Sequence, residues 1–93
     1  MIIKLQVMGY FLGEAVTYRI EEELAGDSIS LQDFFKKLDK EKKPKRNFFK
    51  SIFKQPDSFN ILINNERLSF NGVPQTELHD GDTISILSPF AGG

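Results

Sequence analysis

The chain has 93 residues, with 12 basic and 13 acidic side chains and a formal net charge of −1. This length suffices for one domain with a modest core but not for a deep cofactor cleft, which favours a carrier or a binding module over an enzyme. Because the sequence has no cysteine, disulfides, thiolate metal ligands and cysteine nucleophiles are excluded. We expect a soluble, cytoplasmic protein, since the sequence shows neither a signal-peptide pattern nor an apolar run of about eighteen residues.

Charge is distributed unevenly along the chain. Residues 36–54 hold nine basic and two acidic side chains, whereas the rest of the chain holds three basic and eleven acidic ones. The folded molecule should therefore be strongly dipolar. One hypothesis is that this basic segment binds nucleic acid or an acidic protein, with Phe48, Phe49 and Phe53 stacking on bases.

The first part of the chain predicts a β-hairpin. Residues 2–8 and 16–21 alternate apolar and polar side chains, as half-buried strands do. Two glycines within residues 9–14 indicate the turn between them. Two antiparallel strands should therefore begin the fold.

Two helices are predicted after the hairpin. Ser30 is placed to cap the first helix, and Pro44 limits this helix to residues 31–42. Its apolar stripe consists of Leu31, Phe34, Phe35 and Leu38. A short second helix is predicted after Asn47, because large apolar residues recur there at helical spacing and more often close a core than bind a partner. These residues are Phe48, Phe49, Ile52 and Phe53.

The second half of the chain predicts three further strands. They cover residues 59–63, 67–70 and 84–87, and Asn64–Asn65 forms the turn between the first two. Leu78 should fill the core before the last strand. This order predicts an α+β fold, the β-grasp (ubiquitin-like) fold, with a mixed sheet, one main covering helix and a short extra helix. The last strand should lie parallel beside the first.

One helix cannot cover both faces of a sheet. We therefore expect part of the outer face, with Leu62 or Phe70, to be a docking surface for a partner. Arg46 and Lys50 of the basic segment are further candidate contacts to that partner.

The residue pattern contains no recognisable catalytic or metal site. His79 is the only histidine, and no second nitrogen or sulfur ligand accompanies it. Asp80 and Asp82 are expected to shape the turn before the last strand rather than to bind a ligand. Gly9 and Gly13 lack the lysine and the spacing of a phosphate-binding loop. We therefore expect no bound metal or cofactor.

The end of the chain differs from the rest. Pro89 cannot donate to a strand ladder, so the domain should span residues 1–88 and leave residues 89–93 as a flexible tail. Gly92 and Gly93 make this tail thin enough for a narrow enzyme channel. The terminal carboxylate of Gly93 is the candidate working group.

Several features of this ending occur together. In order, they are Leu78, Asp80-Gly81-Asp82, an apolar strand, Pro89 and the final Gly92-Gly93. This combination resembles the ending of the MoaD/ThiS sulfur carriers. Upstream, Asn60–Glu66 is similar to the strand and asparagine turn of that family. The resemblance covers about the last third of the chain well.

The resemblance implies a function for the tail. An ATP-dependent adenylating enzyme of the MoeB/ThiF type would activate Gly93, and a sulfur donor would convert it to a thiocarboxylate. Gly93 would carry the sulfur, while Gly92, Ala91, Phe90 and Pro89 would enter a partner. The ending is more similar to the molybdopterin branch, in which a MoaE-type large subunit of molybdopterin synthase accepts the tail and the sulfur builds the molybdenum or tungsten cofactor. The chain itself would be a carrier without a cofactor, since the activating enzyme uses the ATP.

Two alternatives keep the same fold. In one, the chain is a sulfur carrier of the thiamine type. In the other, it is a ubiquitin-like modifier whose Gly93 is joined to a lysine of another protein.

Overall fold

The structure, a computed structural model, describes residues 1–88, so the predicted tail at residues 89–93 lies outside the described residues. The strands are β1 (Ile2–Phe11), β2 (Glu14–Glu23), β3 (Ser28–Ser30), β4 (Asn60–Ile63), β5 (Glu66–Leu68), β6 (Glu77–His79) and β7 (Thr83–Leu87). The helices are α1 (Leu31–Lys40) and α2 (Phe48–Ile52), and 3-10 segments span Pro56–Ser58 and Phe70–Gln75. Within residues 1–88, no helix has the length and hydrophobicity of a membrane-spanning segment.

Five strands form one mixed sheet in the order β2-β1-β7-β4-β5. β7 lies parallel to β1, with Leu5 opposite Ile84 and Val7 opposite Ile86, and the other neighbours are antiparallel. Because the last strand lies beside the first and the helices cover one face, the predicted β-grasp fold is confirmed. β3 and β6 form a separate two-stranded sheet. Three-residue strands are too short to show a period, so the sequence does not predict them.

The β1–β2 hairpin is longer than predicted, and its turn is tighter. Both strands have ten residues, and only Leu12 and Gly13 lie between them, with φ angles of 53° and 80°. A two-residue turn with positive φ at both positions suits the twist of paired strands. The predicted hairpin is therefore confirmed, but its turn is shorter than the predicted residues 9–14, since Gly9 lies inside β1, opposite Val16.

α1 begins where the sequence predicts. The Ser30 hydroxyl accepts a hydrogen bond from the Asp33 amide at 3.0 Å, which confirms the cap. The helix ends at Lys40, two residues before the predicted limit. Lys42 has a left-handed φ of 61°, and the Lys43 amide donates to a carbonyl of the last turn at 2.9 Å. A Schellman motif therefore ends the helix before the following proline can.

The core lies between the large sheet and the two helices. Its almost completely buried residues from the strands and α1 include Ile3, Leu5, Val7, Leu31, Phe34, Leu38, Leu78, Ile84 and Ile86. In α2, Phe48 and Phe49 are 1% and 0% exposed, which confirms that this helix closes the core. Neither ring is available to stack on a base, so the nucleic-acid hypothesis loses two of its three aromatic contacts.

The strand after the asparagine turn is shorter than predicted. The turn itself is confirmed, because Asn64 and Asn65 have φ angles of 51° and 70°. β5 ends at Leu68, and Phe70 begins a 3-10 segment. The ring centroid of Phe70 lies 5.7 Å from that of Phe53, with an edge-to-face geometry. Phe70 thus lies beside the helices, which corrects the prediction that it extends a strand on the outer face.

Candidate functional site at the tail exit

Ser88, which precedes the predicted tail, is held against β1. Its amide donates to the Met8 carbonyl at 3.1 Å. Its hydroxyl accepts from the Tyr10 amide at 2.6 Å and donates to the Tyr10 carbonyl at 2.9 Å. Backbone and side-chain hydrogen bonds therefore fix Ser88 beside β1, and we call this position the tail exit because Ser88 precedes the predicted tail.

Gly9 permits this close approach. Its φ is +139°, and a Cβ atom at this position would lie 2.6 Å from the Ser88 carbonyl oxygen and 2.8 Å from the Ser88 amide nitrogen. A larger residue would force the backbone to shift. The sequence signal was available, because a glycine inside an alternating strand often marks the close approach of another backbone. Gly9 therefore belongs to the tail exit rather than to a turn.

The acidic turn anchors the opposite end of β7. The Asp80 carboxylate accepts from the Ile2 amide at 2.7 Å, and the Asp82 carboxylate accepts from the His79 amide at 2.8 Å. Asp82 also accepts from the side-chain amide of Asn64 at 3.0 Å. Both carboxylates thus stabilise the turn, as predicted from the sequence.

His79 is a surface residue beside this turn. Its side chain is 62% exposed, and its Nε2 atom lies 3.9 Å from the Glu77 carboxylate. In the part of the chain that the structure describes, no cluster of three His, Asp or Glu side chains could hold a metal ion. His79 is thus an exposed residue of the turn region with an acidic neighbour.

The sheet face opposite the helices is partly apolar near the tail exit. Met8 pairs with Leu87, and Leu62 pairs with Ser85 on the same face. These positions alternate with buried core residues, so their side chains point away from the core. Tyr10, also on this face, is 45% exposed. We call Met8, Tyr10, Leu62 and Leu87 the exit patch.

The predicted docking residues fall into different places. Leu62 lies in the exit patch, whereas Phe70 and Lys50 line a groove between α1, α2 and the segment Phe70–Gln75. Arg46 is exposed in the loop between the two helices. The predicted tail contacts, Pro89, Phe90, Ala91, Gly92 and Gly93, lie outside the described residues.

β2 neutralises part of the basic segment. The largely buried Glu22 carboxylate accepts a hydrogen bond from Lys43 Nζ at 2.7 Å and lies 3.8 Å from Lys37 Nζ. Hydrogen bonds from Lys37 and Lys43 lower the pKa of the Glu41 carboxyl. Hydrogen bonds to Glu22 and Glu41 raise the pKa of Lys43. This network ties the end of α1 and the following loop to the sheet.

Asp39 caps α2 from the neighbouring helix. Its two carboxylate oxygens accept from the Phe49 amide at 2.8 Å and from the Lys50 amide at 2.9 Å. Asn47, which directly precedes α2, makes no side-chain capping bond. Capping by a residue so far from the helix start leaves no short-range sequence signal, so the sequence does not predict this cap.

Known proteins share this fold. A thiamine biosynthesis protein (ThiS) from Geobacter metallireducens aligns with 18% identity and a TM-score of 0.51, over 97% of this chain and 99% of that chain. A structure of the complex of subunits 1 and 2 of the molybdopterin-converting factor from Helicobacter pylori 26695 aligns with 24% identity and a TM-score of 0.55, over 100% of both chains. No curated protein sequence gives a significant match.

The sequence comparison identifies the family. The family model of ThiS matches residues 10–93, a span that includes the acidic turn at residues 80–82 and the C-terminal Gly92-Gly93. At their low identities, the two solved structures support the fold alone. The match over nearly the whole chain shows that it belongs to the ThiS family, the small sulfur carriers that its C-terminal pattern resembles.

Proposed function

We propose that this carrier supplies sulfur for molybdopterin synthesis through a thiocarboxylate at Gly93. The observation that carries the proposal is the sequence from Pro89 to Gly93, which ends in Ala-Gly-Gly within the span matched by the family. The anchored exit at Ser88 supports it, because the domain would present the tail from a defined point.

The terminal carboxylate needs activation before it can accept sulfur. Its reference pKa is about 3.3–3.7, so at neutral pH it is anionic and a poor electrophile. Attack by a carboxylate oxygen on the α-phosphorus of ATP forms an acyl adenylate and releases pyrophosphate. A sulfur donor then displaces AMP and leaves the thiocarboxylate. An enzyme of the MoeB/ThiF type would provide the ATP site for this step.

The exit patch is the surface we assign to the synthase large subunit, a MoaE-type protein. Met8 and Tyr10 belong to the strand segment that holds Ser88, so a partner that covers the patch would also receive the tail. Phe90 would seat in an apolar groove of the partner, and Gly92 would keep the approach narrow. An apolar patch with polar surroundings is typical of protein interfaces. The Helicobacter pylori structure, a complex of the two subunits of a molybdopterin-converting factor, supports a partner of this kind.

The first experiment is an intact mass measurement. The full chain is incubated with ATP, a MoeB/ThiF-type enzyme and a sulfide donor, beside a control chain that lacks Gly93. We expect the full chain alone to gain the mass difference of one sulfur replacing one oxygen. An unchanged mass with several active enzymes of this type would contradict the carrier chemistry.

Thiamine synthesis is the second candidate, because the family model and one structural relative both carry the ThiS description. The thiocarboxylated chain separates the two when it is offered to a MoaE-type subunit with a pterin precursor and to a thiazole synthase with its own substrates. Sulfur transfer only to the pterin supports the proposal. Transfer only to the thiazole would replace it with the second candidate.

A further inference from the structure

A groove of about 720 Å³ lies on the helix side of the molecule. Its apolar lining consists of Phe35, Phe49, Phe53, Phe70, Val73 and Pro74. Phe53 is partly buried and Phe70 is 40% exposed, so both rings present apolar surface to the solvent. We call this feature the basic groove because of the charges on its rim.

The rim carries uncompensated positive charge. Lys36, Lys40 and Lys50 line the groove and are exposed. None of the three forms an ion pair within 4.0 Å with any residue in the range 1–88. Asp39 is the one carboxylate in the described lining, and both of its oxygens accept hydrogen bonds from the backbone of α2. An approaching carboxylate would therefore meet three available ammonium groups.

We propose that the basic groove binds an acidic peptide segment of a protein partner. One or two aromatic or aliphatic side chains of that segment pack on Phe53 and Phe70, and its flanking carboxylates face Lys36, Lys40 and Lys50. The apolar floor selects the anchor, since buried hydrophobic anchors supply most of the affinity of such sites. The charged rim selects the flanking residues by electrostatic complementarity.

The geometry favours a peptide over nucleic acid. Bases bind single-stranded sites by stacking on exposed aromatic faces. The rings of Phe53 and Phe70 meet at 78°, so they form no parallel platform for successive bases. Phe49 is buried, and the described lining of the groove contains lysines but no arginine, the side chain that binds phosphate in a bidentate manner.

The geometry also disfavours a small ligand as the main occupant. Sites for small molecules usually place polar groups inside the pocket to orient the ligand. In the basic groove the buried lining residues are apolar, whereas the three lysines and the polar residues Gln32 and Asn47 are exposed, and both carboxylate oxygens of Asp39 are engaged by α2. A segment with apolar side chains pointing down and acids at its edges matches this arrangement.

This site goes beyond the proposed function, because it lies on the opposite side of the sheet from the exit patch. Its binding does not depend on Gly93. A chain that lacks Gly93 should lose thiocarboxylate formation and keep groove binding, so the two proposals can fail separately.

The test is a nuclear magnetic resonance titration of the isotope-labelled full chain. The probe is an acetylated and amidated peptide of sequence EDFLED, and the comparison peptides are EDAAED, without the anchors, and KKFLKK, with reversed charge. We expect shifts of the amides of Phe53, Phe70 and Val73 and a Kd below about 1 mM for EDFLED alone.

Matched variants separate the rim from general charge. K36Q/K40Q/K50Q removes three groove lysines, and K42Q/R46Q/K54Q removes three positive charges outside the groove lining. We expect the first triple variant to weaken binding roughly tenfold and the second by about twofold or less. Phe70→Ala should also weaken binding, since it removes an exposed part of the floor.

Defined outcomes would overturn the proposal. They are no amide shifts at about 5 mM EDFLED, equal binding of either comparison peptide, or equal losses in the two triple variants. Displacement of EDFLED by a lower concentration of single-stranded oligothymidylate would assign the groove to nucleic acid instead. A dimer in sedimentation experiments that disappears in K36Q/K40Q/K50Q would assign it to a second copy of the chain.

Discussion

The exit patch and the basic groove lie on opposite sides of the sheet and are built by different interactions. The exit patch follows from strand alternation and from the hydrogen bonds between Ser88 and Tyr10. The basic groove depends on contacts between separate elements, because Asp39 caps α2 and Phe53 packs against Phe70. The position of Ser88 is therefore set by hydrogen bonds to a neighbouring strand, whereas the groove requires a correctly packed core beneath it.

This difference predicts different consequences of substitution on the two sides. Under the groove, Phe35 and Phe49 are buried and their ring centroids lie 4.6 Å apart in a stacked pair. On the exit patch, Met8 and Leu62 are only partly buried. Changes beneath the groove should mainly reduce the stability of the fold, while changes in the exit patch should mainly reduce binding of the proposed large subunit.

Phe49→Ala should have the largest effect on stability. Loss of a completely buried ring leaves a cavity beside Phe35, and such substitutions cost about 3–5 kcal/mol. Chemical denaturation measures this loss as a lower free energy of unfolding. Phe70→Ala is the control, because its 40% exposed ring should cost about 1 kcal/mol or less. Equal losses would show that the groove surface and the core are not energetically distinct.

Gly9→Ala should destabilise the tail exit. A Cβ atom there collides with the Ser88 backbone, and the combined strain and weakened hydrogen bonds should cost about 2–4 kcal/mol. Gly13→Ala is the control, since its φ of +80° is also left-handed but nothing lies within 4 Å of the added atom. It should cost about 1 kcal/mol. Thermal or chemical unfolding that gives the same loss for both variants would mean that the approach of Ser88 is unimportant.

Leu62→Asp should weaken binding of a MoaE-type large subunit by roughly tenfold or more, about 1.4 kcal/mol. The new carboxylate would lose water in the apolar interface. Asn60→Asp adds the same charge to the same face of β4, at an exposed position, and should change the affinity less. Calorimetric titration measures both affinities, and thermal melts verify that both variants fold. An equal effect of the two variants would point to general repulsion instead of the exit patch.

Glu41→Gln should have the smallest effect and should depend on pH. The lysine hydrogen bonds lower the pKa of Glu41 below its ordinary value of 4.5. A carboxyl group whose pKa is lowered by folding stabilises the fold at pH values above its ordinary pKa. This stabilisation is lost as the pH falls through the pKa of the folded state. Because Glu41 and its two lysine partners are partly exposed, the variant should be less stable by about 0.5 kcal/mol at pH 7 and as stable as the original chain in strong acid. Denaturation over a pH series tests this, and a constant difference would contradict it.

Local chemistry determined much of the fold in advance. The strand alternation, the Ser30 cap and the Asn64–Asn65 turn all depend on neighbouring residues, and each appears in the structure. The order of these elements was enough to predict the β-grasp fold. The strands of the hairpin are longer than predicted, because Gly9 suggests a turn although it lies inside β1.

Other features depended on residues far apart in the sequence. The pairing of β3 with β6 joins distant segments, so no local pattern predicts it. A glycine inside an alternating strand indicates that another backbone approaches Gly9, but it does not indicate that Ser88 is the approaching residue. Phe70 was assigned to the outer face because its neighbours resemble a strand, yet its ring packs beside the helices. The sequence also predicts a tail at residues 89–93, but it does not predict the hydrogen bonds that hold Ser88, the residue before it.

The sequence by itself determined the element order and the family pattern, because these depend on residue types and their spacing, and the proposal for Gly93 also comes from that pattern. Only the tertiary structure decided that Ser88 is held on β1, that β2 neutralises Lys37 and Lys43, and which lysines remain around the groove. Hydrogen bonds and ion pairs form according to distances in space, and chain folding sets those distances through contacts that sequence neighbours do not encode.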